Sequence, residues 1–146
     1  MIIGEETNFY DLLVKRSASI GWTVRKAFEN CETYDDVIKY LSTTDTITPI
    51  YYIVSGVNPG EGAVLEMNRD GVYKKYNLDV DNGKWYVIVT NYDLDLEDPE
   101  WDYRRVPAEK HLNETGRDNI SLQTLYDNVL SQPPNLRNWT IQTCTF

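Results

Sequence analysis

The residues whose types and spacing could do chemistry lie between positions 90 and 105. An apolar, β-branched run stops at Thr90-Asn91-Tyr92-Asp93, and two adjacent arginines, Arg104 and Arg105, follow an acidic stretch of Asp93, Asp95, Glu97, Asp98, Glu100 and Asp102. An asparagine at a strand end ordinarily bonds to nearby backbone and starts a turn. Held rigidly by a sheet, its side-chain N–H₂ can instead donate to the negative charge that develops on a tetrahedral intermediate, where one such donor is worth on the order of 3 kcal/mol. The arginines carry the same ambiguity: they make surface ion pairs with the neighbouring acids, worth little, or one of them orients a carbonyl or carboxylate with its planar fork.

Little else in the chain offers a nucleophile or a ligand set. His111 is the one histidine, which excludes a histidine-based triad or a multi-histidine metal site within these residues. It reads as a helix-surface residue. Cys31 and Cys144 make no disulfide framework, and both a single bond and two separate thiols stay open. Neither a metal site nor a cofactor is expected.

The elements that must position Asn91 and Arg104 follow from periodicity. Phe9, Leu12, Leu13, Ile20, Val24, Ala27 and Phe28 fall mostly on one helical face, with Ser17-Ala18-Ser19-Ile20-Gly21 a candidate break. Thr33 reads as an N-cap ahead of Asp35, Asp36, Val37, Ile38 and Leu41, giving a second helix to about Ser42. From Pro49 the pattern becomes that of strands. Residues 50–54, 63–69, 72–78 and 84–90 read as four antiparallel strands in sequence, separated by Asn58-Pro59-Gly60-Glu61-Gly62, Asp70-Gly71 and Asp81-Asn82-Gly83. Residues 107–112 suggest a helix, and Ser121 can cap another that carries Leu122, Leu125, Tyr126, Val129 and Leu130, ended by Pro133-Pro134. A last strand is expected over 139–146. Helices, a meander and helices again describe an α+β domain with a sheet flanked by helices, and 146 residues fit one domain.

Acidic residues outnumber basic ones by 23 to 14, giving a net charge of −9, a poor match to nucleic acid. That balance suits a soluble surface or residence in an acidic compartment. No stretch approaches the roughly 18 apolar residues of a membrane span. Three N-x-S/T sequons, at Asn113, Asn119 and Asn138, point to a glycosylated, secretory protein. The first residues lack a signal peptide, which is consistent with that route if the true N-terminus lies upstream.

Thr90-Asn91-Tyr92-Asp93 followed by Asp102-Tyr103-Arg104-Arg105-Val106-Pro107-Ala108 resembles the "TNYD…DDRRTPA" stretch of the acid ceramidase family, which includes N-acylethanolamine acid amidase. The resemblance extends through Tyr51-Tyr52-Ile53-Val54, Gly60-Glu61-Gly62-Ala63-Val64, Asn68-Arg69-Asp70, Gly83-Lys84-Trp85-Tyr86-Val87, Leu112-Asn113-Glu114-Thr115 and Asn119-Ile120-Ser121, and back to Thr23-Val24-Arg25. It implies part of an N-terminal-nucleophile, choloylglycine-hydrolase-like αββα sandwich. It implies a hydrolase of lipid amides, either ceramide or N-acylethanolamine, processed in the lysosome from a glycosylated precursor. In that family a cysteine exposed by autocleavage attacks the amide and its own amino group serves as base, so no histidine is needed. By position Asn91 matches the oxyanion-hole asparagine and Arg104 the active-site arginine.

The family's nucleophile belongs to a segment before anything matching residue 1, and neither Cys31 nor Cys144 stands in its place. His111 stands where relatives carry a cysteine. The resemblance therefore implies that 1–146 is a single partial domain, the C-terminal portion of a catalytic β-subunit. Its partners would be the upstream nucleophile segment, the α-subunit of the same precursor and a lipid amide substrate. A lysosomal or secreted location follows. A second reading is a non-catalytic secreted glycoprotein that binds lipid or a partner.

Overall fold

The computed structural model describes residues 19–138, 140, 142, 143 and 145. The chain divides into two compact units, Met1–Val87 and Ile88–Phe146.

In the first unit, Ser19 opens helix α1 (Ile20–Asn30), its hydroxyl accepting the Trp22 N–H. Phe9, Leu12 and Leu13 lie outside the described residues. Ala27 is buried and Ile20 and Val24 pack against the core, but Phe28 is 83% exposed. One residue step turns a helix by about 100°, so Phe28 lies off the stripe that Ala27 occupies. Helix α2 (Tyr34–Thr43) begins with a reciprocal capping box: Thr33 Oγ1 accepts the Asp36 N–H at 3.2 Å and the Asp36 carboxylate accepts the Thr33 N–H at 3.2 Å.

Strands β1 (Ile50–Ser55), β2 (Gly62–Asn68) and β3 (Gly71–Asn77) form an antiparallel sheet in sequence order. Tyr52 stands opposite Leu65 in the register. By the period of two, Ala63, Leu65 and Met67 share one face of β2, where they cluster with Tyr52 and with Ala27, Ile38 and Leu41 from the two helices. Leu65 and Met67 are fully buried, each worth about 1.5–3 kcal/mol in area removed from water. Val64 and Glu66, on the other face, are buried as well, and the Tyr76 hydroxyl donates to Glu66.

The expected fourth strand over 84–90 does not form. After a tight 3₁₀ turn (Val80–Asn82) closed by Gly83 at φ 81°, Lys84 makes one antiparallel bridge to Asp79, and residues 85–90 continue without a ladder partner among the described residues. A run of β-formers is a strand only where a neighbour takes up its backbone groups.

In the second unit a 3₁₀ turn (Glu100–Asp102) leads into helix α3 (Arg105–Thr115), longer than the expected 107–112. Pro107 is accommodated because it falls in the first turn, where its missing N–H is no loss. Ser121 caps α4 (Leu122–Leu125), which runs directly into a π-helical turn (Tyr126–Leu130) packed on α3. Ala108, Leu112 and Val129 are buried. Leu122 and Tyr126 are exposed, so the apolar side expected there is narrower than the spacing suggested. Thr140, Gln142, Thr143 and Thr145 belong to no strand, while Trp139, Ile141, Cys144 and Phe146 lie outside the described residues. No described helix is long and apolar enough to cross a membrane.

Candidate active site

Asp98 is the hub that sets the geometry. Its carboxylate is fully buried and accepts the backbone N–H of Arg105 at 2.7 Å and of Arg104 at 3.2 Å, with the Thr90 hydroxyl donating at 3.3 Å. Arg104 offers no side-chain cap to α3. Asp98 does this from outside the helix, satisfying orphan N–H groups and placing negative charge at the positive end of the helix dipole. The Arg105 guanidinium turns inward: it pairs with Asp98 at 3.2 Å and donates to the carbonyls of Asp93, at 3.1 Å, and Leu96. Asp93, Asp98, Asp102 and Arg105 are all buried. The acidic stretch is thus in part an internal frame rather than a row of surface ion pairs.

With Arg105 committed inward, Arg104 reaches the other way. Its Nη2 donates to Asn91 Oδ1 and, at 3.0 Å, to Asp102 Oδ2. Its Nε lies 2.7 Å from Asp102 Oδ1 but off the N–H direction, an ion contact without a hydrogen bond. Arg137 Nη2 also pairs with Asp102 Oδ1. Asn91 is exposed, whereas the Asp102 side chain is only 4% exposed. Because a guanidinium has donors only, the face of the Asn91 amide turned to Arg104 must be its oxygen, and Nδ2 is the end that can donate elsewhere. Tyr92 stacks edge-on against Trp101 at 5.7 Å. Burial, and then the carboxylates of Asp102 and Asp98, push the Tyr92 hydroxyl above its ordinary range, so it stays protonated.

The two residues singled out from sequence, Asn91 and Arg104, are in direct contact. Asp98, Asp102, Arg105 and Arg137 were not singled out as parts of this frame. Local spacing could have suggested Asp102 beside Arg104, but nothing marks Arg137, 35 positions beyond Asp102.

The remaining candidates are dispersed. Cys31 is a half-buried free thiol at the C-cap of α1, its N–H bonded to the Ala27 carbonyl. His111 is half-buried on α3 rather than on the surface, with no hydrogen-bond partner for its Nδ1 among the described residues. Asn113, Asn119 and Asn138 are exposed.

Comparison with known proteins sets this geometry in context. No protein-family model matches the sequence. The chain is 41% identical over 136 residues to the rabbit (Oryctolagus cuniculus) N-acylethanolamine-hydrolyzing acid amidase, covering 93% of this chain and 38% of that protein. It is 40% identical over 124 residues to human (Homo sapiens) acid ceramidase, covering 85% of this chain and 31% of that protein. The solved structure of a Caenorhabditis elegans N-acylethanolamine-hydrolyzing acid amidase ortholog superposes with a TM-score of 0.72 at 31% identity, over 90% of this chain and 54% of that one. The chain belongs to the acid ceramidase and N-acylethanolamine acid amidase family. Its antiparallel sheet with packed helices is accordingly part of an N-terminal-nucleophile hydrolase fold. The chain spans about a third of the length of the curated family members it matches.

Proposed function

We propose that this chain contributes the oxyanion-stabilising half of a lipid amide hydrolase acting on ceramide or an N-acylethanolamine. In this reading Asn91 donates from Nδ2 to the oxygen of the tetrahedral intermediate, and Arg104 holds the amide in the orientation that makes Nδ2 the donor. The observation that carries it is the Arg104–Asn91 bond, in a chain about 40% identical to proteins named for hydrolysing these two amide classes.

A donor and a positioning cation stabilise an attack but supply no attacking atom. The nucleophile is therefore assigned to a segment of the protein outside residues 1–146, together with the amino group that serves as its base, and the chain by itself has no amidase activity. Cys31 does not take that role: a thiol at a helix C-cap has no freed α-amino group to activate it. The domain 1–146 is then the C-terminal portion of a catalytic β-subunit, completed by that upstream segment and an α-subunit. The three exposed sequons support a glycosylated protein of the lysosome or secretory route.

The test is amide hydrolysis at acidic pH with a short-chain N-acyl fluorogenic substrate. The chain is measured alone and joined to the nucleophile-bearing segment of a relative such as the rabbit amidase. Turnover only in the joined protein is expected; turnover by the bare chain that depends on Cys31 would overturn the assignment.

A further inference from the structure

We propose that Trp101, braced by Tyr92, is a specificity-determining residue: its bare indole receives the first methylenes of the substrate's acyl chain while Asn91 and Arg104 attend to the amide. This deepens the amidase reading and rests on it. Connectivity fixes where the indole stands. Tyr92 follows Asn91 and Trp101 precedes Asp102, and consecutive Cα atoms are only about 3.8 Å apart. The two rings meet edge to face, with centroids 5.7 Å apart and planes at 79°. Asp102 pairs with Arg104, whose Nη2 donates to Asn91. Asn91, Tyr92, Trp101, Asp102 and Arg104 therefore close a ring of contacts, and the aromatic pair is held beside the polar groups.

Within that ring Asp102 is buried and Tyr92 half-buried, whereas Trp101 is 76% exposed. A lone exposed apolar residue is ordinary on a surface. This one is a large flat ring, rooted in a 3₁₀ turn whose next residue is the buried Asp102 and steadied on one side by Tyr92. It can take up an apolar group with little side-chain freedom left to lose. The residue before the arginine pair is Tyr103, where the DDRR stretch that the sequence resembles has a second aspartate. A carboxylate there would have to shed water to let a hydrocarbon pass; a phenol ring does not. The acyl chain is the occupant because the relatives at 41% and 40% identity are named for N-acylethanolamine and for ceramide. Both compounds are N-acyl amides that differ on the amine side, so the acyl chain is the apolar part they share. A fully buried methylene strengthens binding about fourfold, and one lying on a single ring face about twofold.

The test titrates N-octanoylethanolamine into the chain, with N-acetylethanolamine as the short control, and follows the indole N–H signals of the four tryptophans by ¹H–¹⁵N NMR. The Trp101 signal is assigned by its loss in W101F. The octanoyl probe is expected to move that signal saturably, and the acetyl probe to leave it in place at the same concentration. W101A is expected to weaken octanoyl binding about tenfold, and W101F, which keeps a ring against Tyr92, less than about threefold. Should W101A fail to give a folded backbone spectrum, W101Q, a side chain without the ring, decides in its place. No octanoyl-dependent shift at Trp101, a shift confined to the other indoles, or wild-type affinity in the variant without the ring overturns the proposal.

Kinetics supply the second arm. In the protein joined to its nucleophile segment, kcat/KM is measured for fluorogenic amides whose acyl chain lengthens from acetyl to octanoyl. The octanoyl-to-acetyl ratio is expected to fall about tenfold in W101A and to be largely kept in W101F. A wild-type protein with no turnover would sink the amidase reading while the titration still decides the role of Trp101. Active wild type whose dependence on acyl length is unaltered in W101A, or altered only for chains lengthened on the amine side, would overturn the proposal.

Discussion

Replacing Asp98 by alanine tests the frame beneath the site. The carboxylate is fully buried, neutralises an Arg105 side chain that is 9% exposed, and accepts two backbone N–H groups and a hydroxyl. Asp98→Ala removes all of this at once. The Arg105 guanidinium keeps its bonds to the Asp93 and Leu96 carbonyls but becomes a buried charge without a counter-charge. Breaking a buried pair from one side costs about 3–5 kcal/mol, and the lost cap on α3 belongs to the same removal, so the two are not summed. Asp98→Asn retains an acceptor oxygen for the helix N-terminus but not the charge, and about half that loss is expected. Lys110→Ala is the control. It removes an exposed pair with Glu114 at 3.7 Å on the same helix and should cost under about 0.5 kcal/mol. Urea unfolding of the three variants, followed by far-UV circular dichroism with m-values compared, gives the readout. A loss within about 1 kcal/mol for Asp98→Ala would refute the claim that this carboxylate carries the loop and the start of α3.

Two further outcomes follow from local structure. The Asn58 side chain and then the Asn58 backbone N–H hold the Glu61 carboxyl below the ordinary carboxylate range, and Arg25 and Lys26 do the same for Glu29. A depressed folded-state value contributes stability that is complete above the unfolded value of about 4.3 and is lost as pH falls through the folded value. The thermal midpoint should therefore decline below pH about 4.3, and Glu61→Gln should decline less steeply; an unchanged slope would contradict the turn's role. Gly83 has φ 81° and open space where a Cβ would stand, so Gly83→Ala meets backbone strain alone and should destabilise by about 1–2 kcal/mol, measured by urea midpoint.

How much was legible in the sequence depended on how local the cause was. The N-cap at Thr33, the cap at Ser121 and the first two hairpin turns lie within a few residues of what they organise, and each formed as its spacing suggested. The apolar, β-branched run 84–90 carried the same local signal as β1, but strand formation needs a partner, and pairing is a non-local fact. The site divides along the same line. Asn91 and Arg104 were visible through their types and through the family resemblance, and they are in contact. That Asp98 and Asp102 are interior acids could not be read from a run in which every second or third residue is acidic. Arg137, whose guanidinium pairs with Asp102 35 positions away, has no local signature of that contact.

The central claim is that the Asn91 amide stabilises the oxyanion of amide hydrolysis. Its most direct measurement is kcat and KM for Asn91→Ala in the protein joined to its nucleophile segment. Loss of one oxyanion donor predicts a fall in kcat of about 10²–10³-fold with KM nearly unchanged, since the donor acts on charge absent from the ground state. A wild-type kcat in Asn91→Ala, in a preparation whose activity depends on the upstream cysteine, would contradict the account.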